Sequence, residues 1–156
     1  MHTENSILIH APVEKIFEAA SDLSLWPRIL PHYRWIKFLE KSPAKNIIRM
    51  AANRNVSALF GIAIPVQWTS ELEIDRERME IRFHHLTAFT KGMLVVWTFT
   101  PTSNGIEVRI RHDLKPSIPI IGTFIAETII GRFFVGYIAN QTLYHMKQYV
   151  EKNYGT

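Results

Sequence analysis

Few side chains in this chain have the types and spacing that common catalytic centres need. Its histidines are His2, His10, His32, His84, His85, His112 and His145. His84 and His85 are adjacent, but neighbours on a strand point to opposite faces and do not readily share a metal ion. The chain has no cysteine, which excludes thiol nucleophiles and cysteine-ligated zinc. Ser70 has no evident histidine and acid partners, so a hydrolase triad lacks support. We expect neither a metal nor a cofactor.

If this chain is an enzyme, proton transfer is the chemistry to consider. Tyr33, or a pocket water molecule, is the candidate proton carrier. Arg82 and His84 alternate with Ile81 and Phe83 along one predicted strand, which places them on the solvent face. An inward-pointing Arg82 would favour an enzyme, whereas an entirely apolar cavity would favour binding or transport.

Aromatic side chains are more informative, because several lie on faces that we predict to point inward. They are Trp68, Phe83, Trp97 and Phe99. Most such residues fill a core, so core packing and cavity lining are both open for each of them.

Seven strands and three helices are predicted to position these residues. A strand at 4–10 is followed by two short helices, and strands begin near residues 33, 47, 66, 79, 92 and 106. Residues 33–41 alternate, with Tyr33 and Trp35 on one face and Ile36 and Phe38 on the other. The clearest alternation places these residues on one inward face: Val66, Trp68, Ser70, Leu72 and Ile74. Together the strands suffice for a curved antiparallel sheet.

The spacing of apolar residues predicts one long helix over residues 119–154. Its apolar stripe includes Ile125, Ile129 and Thr142 at helical spacing. Glu127, Arg132 and three glycines count against a membrane span. A helix lying against a sheet or a cavity satisfies the same pattern.

The segment 56–65 is apolar and uncharged, although it joins two predicted strands. Loops are normally polar, so it either packs under the domain or forms a lid, a homodimer contact or a membrane-touching edge. Flanking Arg49, Arg54 and Lys91 make peripheral contact with anionic lipid one interpretation.

Composition indicates one globular domain, residues 1–156, with 47% hydrophobic residues. The net charge of +4 and the pI near 9.5 permit contact with nucleic acid. However, the basic residues are spread along the chain without a binding motif, so we expect no nucleic-acid partner. No signal peptide is readable, and a reducing cytoplasm is the expected location.

The order of several local motifs resembles the helix-grip domain of the START-like superfamily. They are Asn5-Ser6-Ile7 with Ala11-Pro12, Trp26-Pro27 through Tyr33, Trp68-Thr69-Ser70, Trp97-Thr98 and Asp113-Leu114-Lys115-Pro116. The nearest likeness is to the polyketide cyclase/dehydrase group, which includes the aromatase/cyclases. The resemblance implies an α+β fold in which a curved seven-stranded antiparallel sheet wraps around a long C-terminal helix, with two short helices after the first strand.

The resemblance also implies a cavity that holds a hydrophobic small molecule. Combined with the inward faces, it makes these residues the candidates for ligand binding: Trp26, Tyr33, Trp68, Ser70, Leu72, Phe83, Trp97, Ile125, Ile129 and Thr142. The resemblance to aromatase/cyclases implies an arginine that acts on the polyketide's oxygens two residues after Ser70, but this chain has Leu72 there. Leucine cannot hold an enolate or phenolate, which weakens the prediction of cyclase activity.

Three functions follow as hypotheses from these residues. The preferred one is binding of a polyketide-like, isoprenoid or lipid molecule in the cavity. The alternatives are a polyketide aromatase/cyclase or dehydratase, and a lipid or quinone chaperone that works at a membrane surface.

Overall fold

The computed structural model describes residues 1–56, 61–115 and 132–156. Its elements, in chain order, are β1 (His2–Ile9), α1 (Val13–Ser21), α2 (Trp26–Ile29), β2 (Tyr33–Lys41), β3 (Asn46–Val56), β4 (Ile62–Asp75), β5 (Glu80–His85), β6 (Leu94–Thr102), β7 (Gly105–Asp113) and α3 (Gly136–Tyr154). The predicted helix begins at residue 119, but residues 116–131, including Ile125 and Ile129, lie outside the described parts.

The seven strands form one antiparallel sheet in the order β1-β7-β6-β5-β4-β3-β2. Pairing of β1 with β7 brings the start of the chain beside the last strand, and β1 and β2 are the two edges. The predicted α+β architecture of seven antiparallel strands, two short helices after the first strand and a long C-terminal helix is confirmed.

Strand β4 shows why one face of the sheet becomes the interior. Val66, Ser70 and Leu72 are buried, while Glu71 and Glu73, which alternate with Ser70 and Leu72, are exposed. Side chains two residues apart share a face of a strand, so the apolar set points inward together. This alternation was predicted and is confirmed.

Strand β2 departs from the predicted alternation. Tyr33 pairs with Ala52, whereas Trp35 pairs with Ala51, and a register shift separates the two pairs. A β-bulge adds one residue and moves the following side chains to the opposite face. The prediction that Tyr33 and Trp35 share a face is therefore wrong, since Tyr33 is buried inside and Trp35 is only partly buried.

Helix α3 packs over the inward face and is tied to the end of β1. The Lys147 ammonium donates to the Leu8 carbonyl at 2.6 Å and to the Glu151 carboxylate at 2.6 Å. Glu151 also accepts from the His10 amide at 2.8 Å. Within the described ranges, no helix is both long enough and apolar enough to cross a bilayer.

Candidate functional site

A cavity of about 80 Å³ lies between the sheet and α3. Its described walls are mostly aromatic and aliphatic: Trp26, Tyr33, Met50, Val66, Gln67, Trp68, Phe83, His85, Phe89, Thr90, Met93, Val95, Trp97, Ile110, His112, Phe134, Val135, Ile138, Ala139 and Thr142. Apolar walls with a few convergent polar groups are typical of small-molecule sites.

The structure brings most of the predicted binding residues together around this cavity. Those that line it are Trp26, Tyr33, Trp68, Phe83, Trp97 and Thr142. Ser70 and Leu72 face the same interior at 0% and 4% exposure, but they are not among the lining residues. Ile125 and Ile129 lie outside the described residues, and ligand contact by any of these residues stays a prediction.

Trp26 is the centre of an aromatic cluster at one wall. Helix α2 carries it, and its ring centroid lies 5.2 Å from that of Tyr33, 5.6 Å from Trp97 and 6.0 Å from Phe83. The Trp26 Nε1 is buried and has no hydrogen-bond partner among the described residues. Leaving a buried donor unpaired costs about 1–3 kcal/mol.

His85 and His112 also line the cavity, and sequence reasoning did not select them. His85 Nδ1 lies 2.7 Å from the Thr90 hydroxyl, and the imidazole stacks on Trp68 with centroids 5.7 Å apart. His112 Nδ1 is buried without a partner among the described atoms. The sequence did contain a signal for both histidines, because each continues an alternation of inward apolar residues. His85 follows residues 81 and 83 on β5, and His112 follows residues 108 and 110 on β7.

Burial keeps both imidazoles neutral at pH 7. It lowers the pKa of His85 to about 3, helped by nearby His112 and His84. Burial also lowers the pKa of His112 to about 3, against a smaller opposing effect of Asp113. A neutral imidazole offers one donor and one acceptor, so the pair can bond to a hydroxyl or carbonyl without adding charge.

A second polar group joins α3 to the start of β2. Thr142 donates its single hydroxyl proton to the Ile138 carbonyl at 2.7 Å. His32 Nε2 lies 2.8 Å from the same hydroxyl and must therefore carry the proton that it donates. Burial and the charge of His145 lower the pKa of His32 to about 4. Burial raises the pKa of Tyr33, against a smaller opposing effect of nearby Thr142, and this disfavours Tyr33 as a proton carrier at neutral pH.

Arg82 lies outside the cavity, as its alternation predicted. Its guanidinium pairs with Glu73 at 3.1 Å and with Glu80 at 3.0 Å on the outer face of the sheet. His84 is exposed on the same face. The described chain contains no cluster of three or more potential metal ligands.

Solved structures with the same architecture define the fold class. The Zhui aromatase/cyclase from Streptomyces sp. R1128 matches with a TM-score of 0.78 at 17% identity, covering 97% of this chain and 94% of its own. A START superfamily protein from Mycobacterium smegmatis matches with a TM-score of 0.71 at 11% identity, covering 97% of both chains. A seven-stranded sheet closed by a C-terminal helix over an internal cavity is thus a START-like, helix-grip domain.

The family follows from the sequence match. Residues 1–151 match the family model described as polyketide cyclase / dehydrase and lipid transport, and the chain belongs to this family. A Streptomyces cyaneus protein named "Putative polyketide cyclase" is 27% identical over 122 residues, which cover 76% of this chain and 77% of the relative. Family membership supports a polyketide-related role.

Proposed function

We propose that the protein binds a hydrophobic or aromatic, polyketide-like small molecule in the cavity between the sheet and α3. The observation that carries this proposal is a largely apolar, aromatic-lined cavity into which two neutral imidazoles project. Each 100 Å² of apolar ligand surface buried there would contribute about 2.5 kcal/mol. Isoprenoid and other lipid ligands share that driving force but use the aromatic walls less well.

Cavity size sets a requirement on binding. An apolar cavity of about 150 Å³ can hold benzene, so a volume of about 80 Å³ must enlarge before it takes even one aromatic ring. Phe89 and Phe134 both line the cavity with centroids 5.2 Å apart, and Phe89 is 46% exposed. We infer that outward displacement of the partly exposed Phe89 ring adds this room.

Polar groups at the cavity wall select the kind of ligand. The unpartnered Trp26 Nε1 can donate to a carbonyl oxygen, and the unpartnered His112 Nδ1 can bond to a hydroxyl. Both would become satisfied by an oxygenated aromatic ligand, whereas a plain hydrocarbon would leave them unpaired.

Aromatase/cyclase activity is the second candidate, because family membership and the cavity imidazoles favour it. A histidine with a pKa of about 3 is, however, a weak general base at neutral pH. Leu72 also stands where the aromatase/cyclases are expected to carry an arginine. Binding without turnover therefore has the stronger physical support.

Titration of the protein with 1,8-dihydroxyanthraquinone tests the proposal. The readout is the fluorescence of the tryptophans in the cavity wall, Trp26, Trp68 and Trp97. We expect saturable quenching with one site per chain. Val95→Phe should weaken binding at least tenfold because Val95 lines the cavity. Val96→Phe is the matched control, since its side chain lies on the opposite face of the same strand.

Failure of the wild-type protein to take up this probe, or equal losses in the two valine variants, would contradict a cavity binder. Native mass spectrometry of the purified protein adds the identity of any ligand already bound. Conversion of a linear polyketide mimic to a cyclised product would establish the enzyme instead.

A further inference from the structure

The positive charge of this protein is concentrated in one hairpin, formed by β2 and β3 (residues 33–56). It contains six basic residues and one acidic residue: Arg34, Lys37, Lys41, Lys45, Arg49, Arg54 and Glu40. Its formal charge is therefore +5, while the whole chain carries +4. The remaining 12 basic and 13 acidic residues sum to −1, so the rest of the molecule is close to neutral.

The hairpin charges are not neutralised by salt bridges within the described parts of the chain. Over the described ranges, no basic residue of this hairpin forms a salt bridge, whereas Arg82, Arg109 and Arg111 on other strands all do. Arg54 is used internally, because it donates to the Phe133 carbonyl at 2.8 Å and covers the Tyr137 ring. The other five basic side chains are exposed.

Two of these charges are held side by side. Lys37 and Arg49 are direct cross-strand partners, which places like charges next to each other on the outer face. Such a pair destabilises a hairpin by a few tenths of a kcal/mol or more. A bound polyanionic surface would convert this repulsion into attraction.

Apolar side chains lie among the charges on the free edge of the sheet. Phe38 and Leu39 are 41% and 58% exposed, and β2 is an edge strand of the described sheet. Lys41 covers the Phe38 ring at 5.0 Å from its centroid, and Lys37 covers Trp35 at 5.1 Å. The edge thus presents an aromatic and an aliphatic side chain with cationic neighbours.

We propose that this β2–β3 hairpin docks the protein on the surface of an anionic phospholipid bilayer. Each Lys or Arg near such a surface contributes about 1 kcal/mol, and Phe38 and Leu39 can enter the headgroup region. Single-stranded nucleic acid needs open aromatic faces for base stacking. On this hairpin, however, the Lys37 and Lys41 ammoniums lie over the rings of Trp35 and Phe38. The lipid surface is therefore the better match.

This surface is distinct from the uncharged segment 56–65 that the sequence offered as a membrane contact, of which residues 57–60 lie outside the described chain. It is also independent of the cavity, because Lys37, Phe38, Leu39 and Arg49 are not lining residues. Failure of membrane docking would leave the small-molecule proposal intact, and the reverse also holds.

Vesicle flotation tests the proposal with the intact protein. We expect binding to vesicles of phosphatidylcholine and phosphatidylglycerol at 7:3, none to phosphatidylcholine alone, and release in 0.5 M salt. Lys37→Gln/Lys41→Gln/Arg49→Gln should weaken binding at least tenfold. Arg28→Gln/Arg76→Gln/Lys152→Gln is the control, since it removes the same three charges elsewhere and should retain binding within threefold.

A second pair of variants tests the apolar contact without changing charge. Phe38→Ser/Leu39→Ser should reduce flotation at least threefold, while Ile62→Ser, at an exposed residue of the 56–65 segment, should not. The proposal is overturned if wild type does not bind anionic vesicles, or if the control triple variant loses as much as the hairpin variant. Displacement from vesicles by a 20-nucleotide single-stranded DNA at sub-stoichiometric amounts would likewise overturn it in favour of a nucleic-acid surface.

Discussion

At the scale of single residues, the cavity is distinguished by buried polar atoms that the protein itself leaves unpaired. The described chain offers no partner to Trp26 Nε1 or His112 Nδ1, and both side chains line the cavity. Protein interiors normally satisfy such groups. Their presence beside an apolar cavity indicates a function for them beyond folding.

His112→Phe separates ligand binding from stability. Replacing the imidazole with an apolar ring removes an unpaired buried nitrogen, so we expect the free energy of unfolding to stay within about 1 kcal/mol of wild type or to rise. Affinity for 1,8-dihydroxyanthraquinone should fall at least tenfold, with less change for anthracene. Urea unfolding and fluorescence titration give the two values, and His84→Gln on the outer face is the control. Equal affinity for both ligands in the variant would argue against hydroxyl recognition by His112.

Ala88 stores backbone strain in the loop that carries Phe89 and Thr90 to the cavity. Its φ of +66° lies in the left-handed region, which costs a residue with a Cβ about 1–2 kcal/mol. We expect Ala88→Gly to stabilise the fold by about 0.5–1 kcal/mol in urea unfolding. Ala44→Gly, in a turn without positive φ, is the control and should destabilise or have no effect. A destabilised Ala88→Gly variant would mean that the methyl group has a packing role.

At the scale of elements, the long helix is positioned by a few polar bonds to β1 as well as by its apolar face. Lys147 and Glu151 together engage the Leu8 carbonyl and the His10 amide. Burial raises the pKa of the Glu151 carboxyl, but the hydrogen bonds from Lys147 and His10 more than offset this and leave it below its ordinary value. That contribution to stability is present above the unfolded-state pKa of glutamate and is lost as the pH falls through the lower folded-state value.

Lys147→Met tests this connection. It leaves the Leu8 carbonyl and Glu151 without their cationic donor, so we expect a loss of about 1–2 kcal/mol in the free energy of unfolding. Faster amide exchange at the end of β1 should accompany it. Lys152→Met, an exposed residue one turn further along, should change stability by less than about 0.5 kcal/mol. A similar loss in both variants would indicate a general effect of the substitution.

At the scale of the whole molecule, three buried histidines make the fold sensitive to acid. The pKa values of His32, His85 and His112 are about 4, 3 and 3, below the value of about 6.5 in an unfolded chain. Below pH 6.5 the unfolded state binds more protons than the folded state, so stability falls until the pH reaches the folded-state values.

Stability should therefore decline steeply between about pH 6 and pH 4. Each histidine contributes a slope of up to about 1.4 kcal/mol per pH unit, and three together are enough to unfold a domain of ordinary stability, about 5–15 kcal/mol. Urea midpoints at pH 7, 6 and 5 measure the slope, and His112→Phe should reduce it by about a third. If the urea midpoint does not change between pH 7 and pH 5, the folded protein takes up protons at these imidazoles without unfolding.

Alternation determined the strands and their faces, because it follows the period of a strand, and the order of the motifs carried the resemblance to the helix-grip fold. That is why the seven strands, the inward face of β4 and six of the residues that now line the cavity were predictable. The bulge in β2 was not, since an inserted residue leaves no mark in the pattern and is imposed by pairing with β3. Sequence reasoning did not select His85 and His112. Their suitability for an apolar cavity rests on a neutral imidazole, and this state depends on burial by strands that are distant in the sequence.

What the amino-acid sequence by itself determined is the family and the inward faces of strands such as β4. Only the tertiary structure decided which polar atoms remain unpaired beside the cavity, and it also set Lys37 and Arg49 side by side in the β2–β3 hairpin. The excess of basic residues in segment 33–56 can be counted in the sequence, but which of them are neighbours depends on strand pairing, because register sets the cross-strand partners. Pairing partners, burial and electrostatics at a site are properties of that packing.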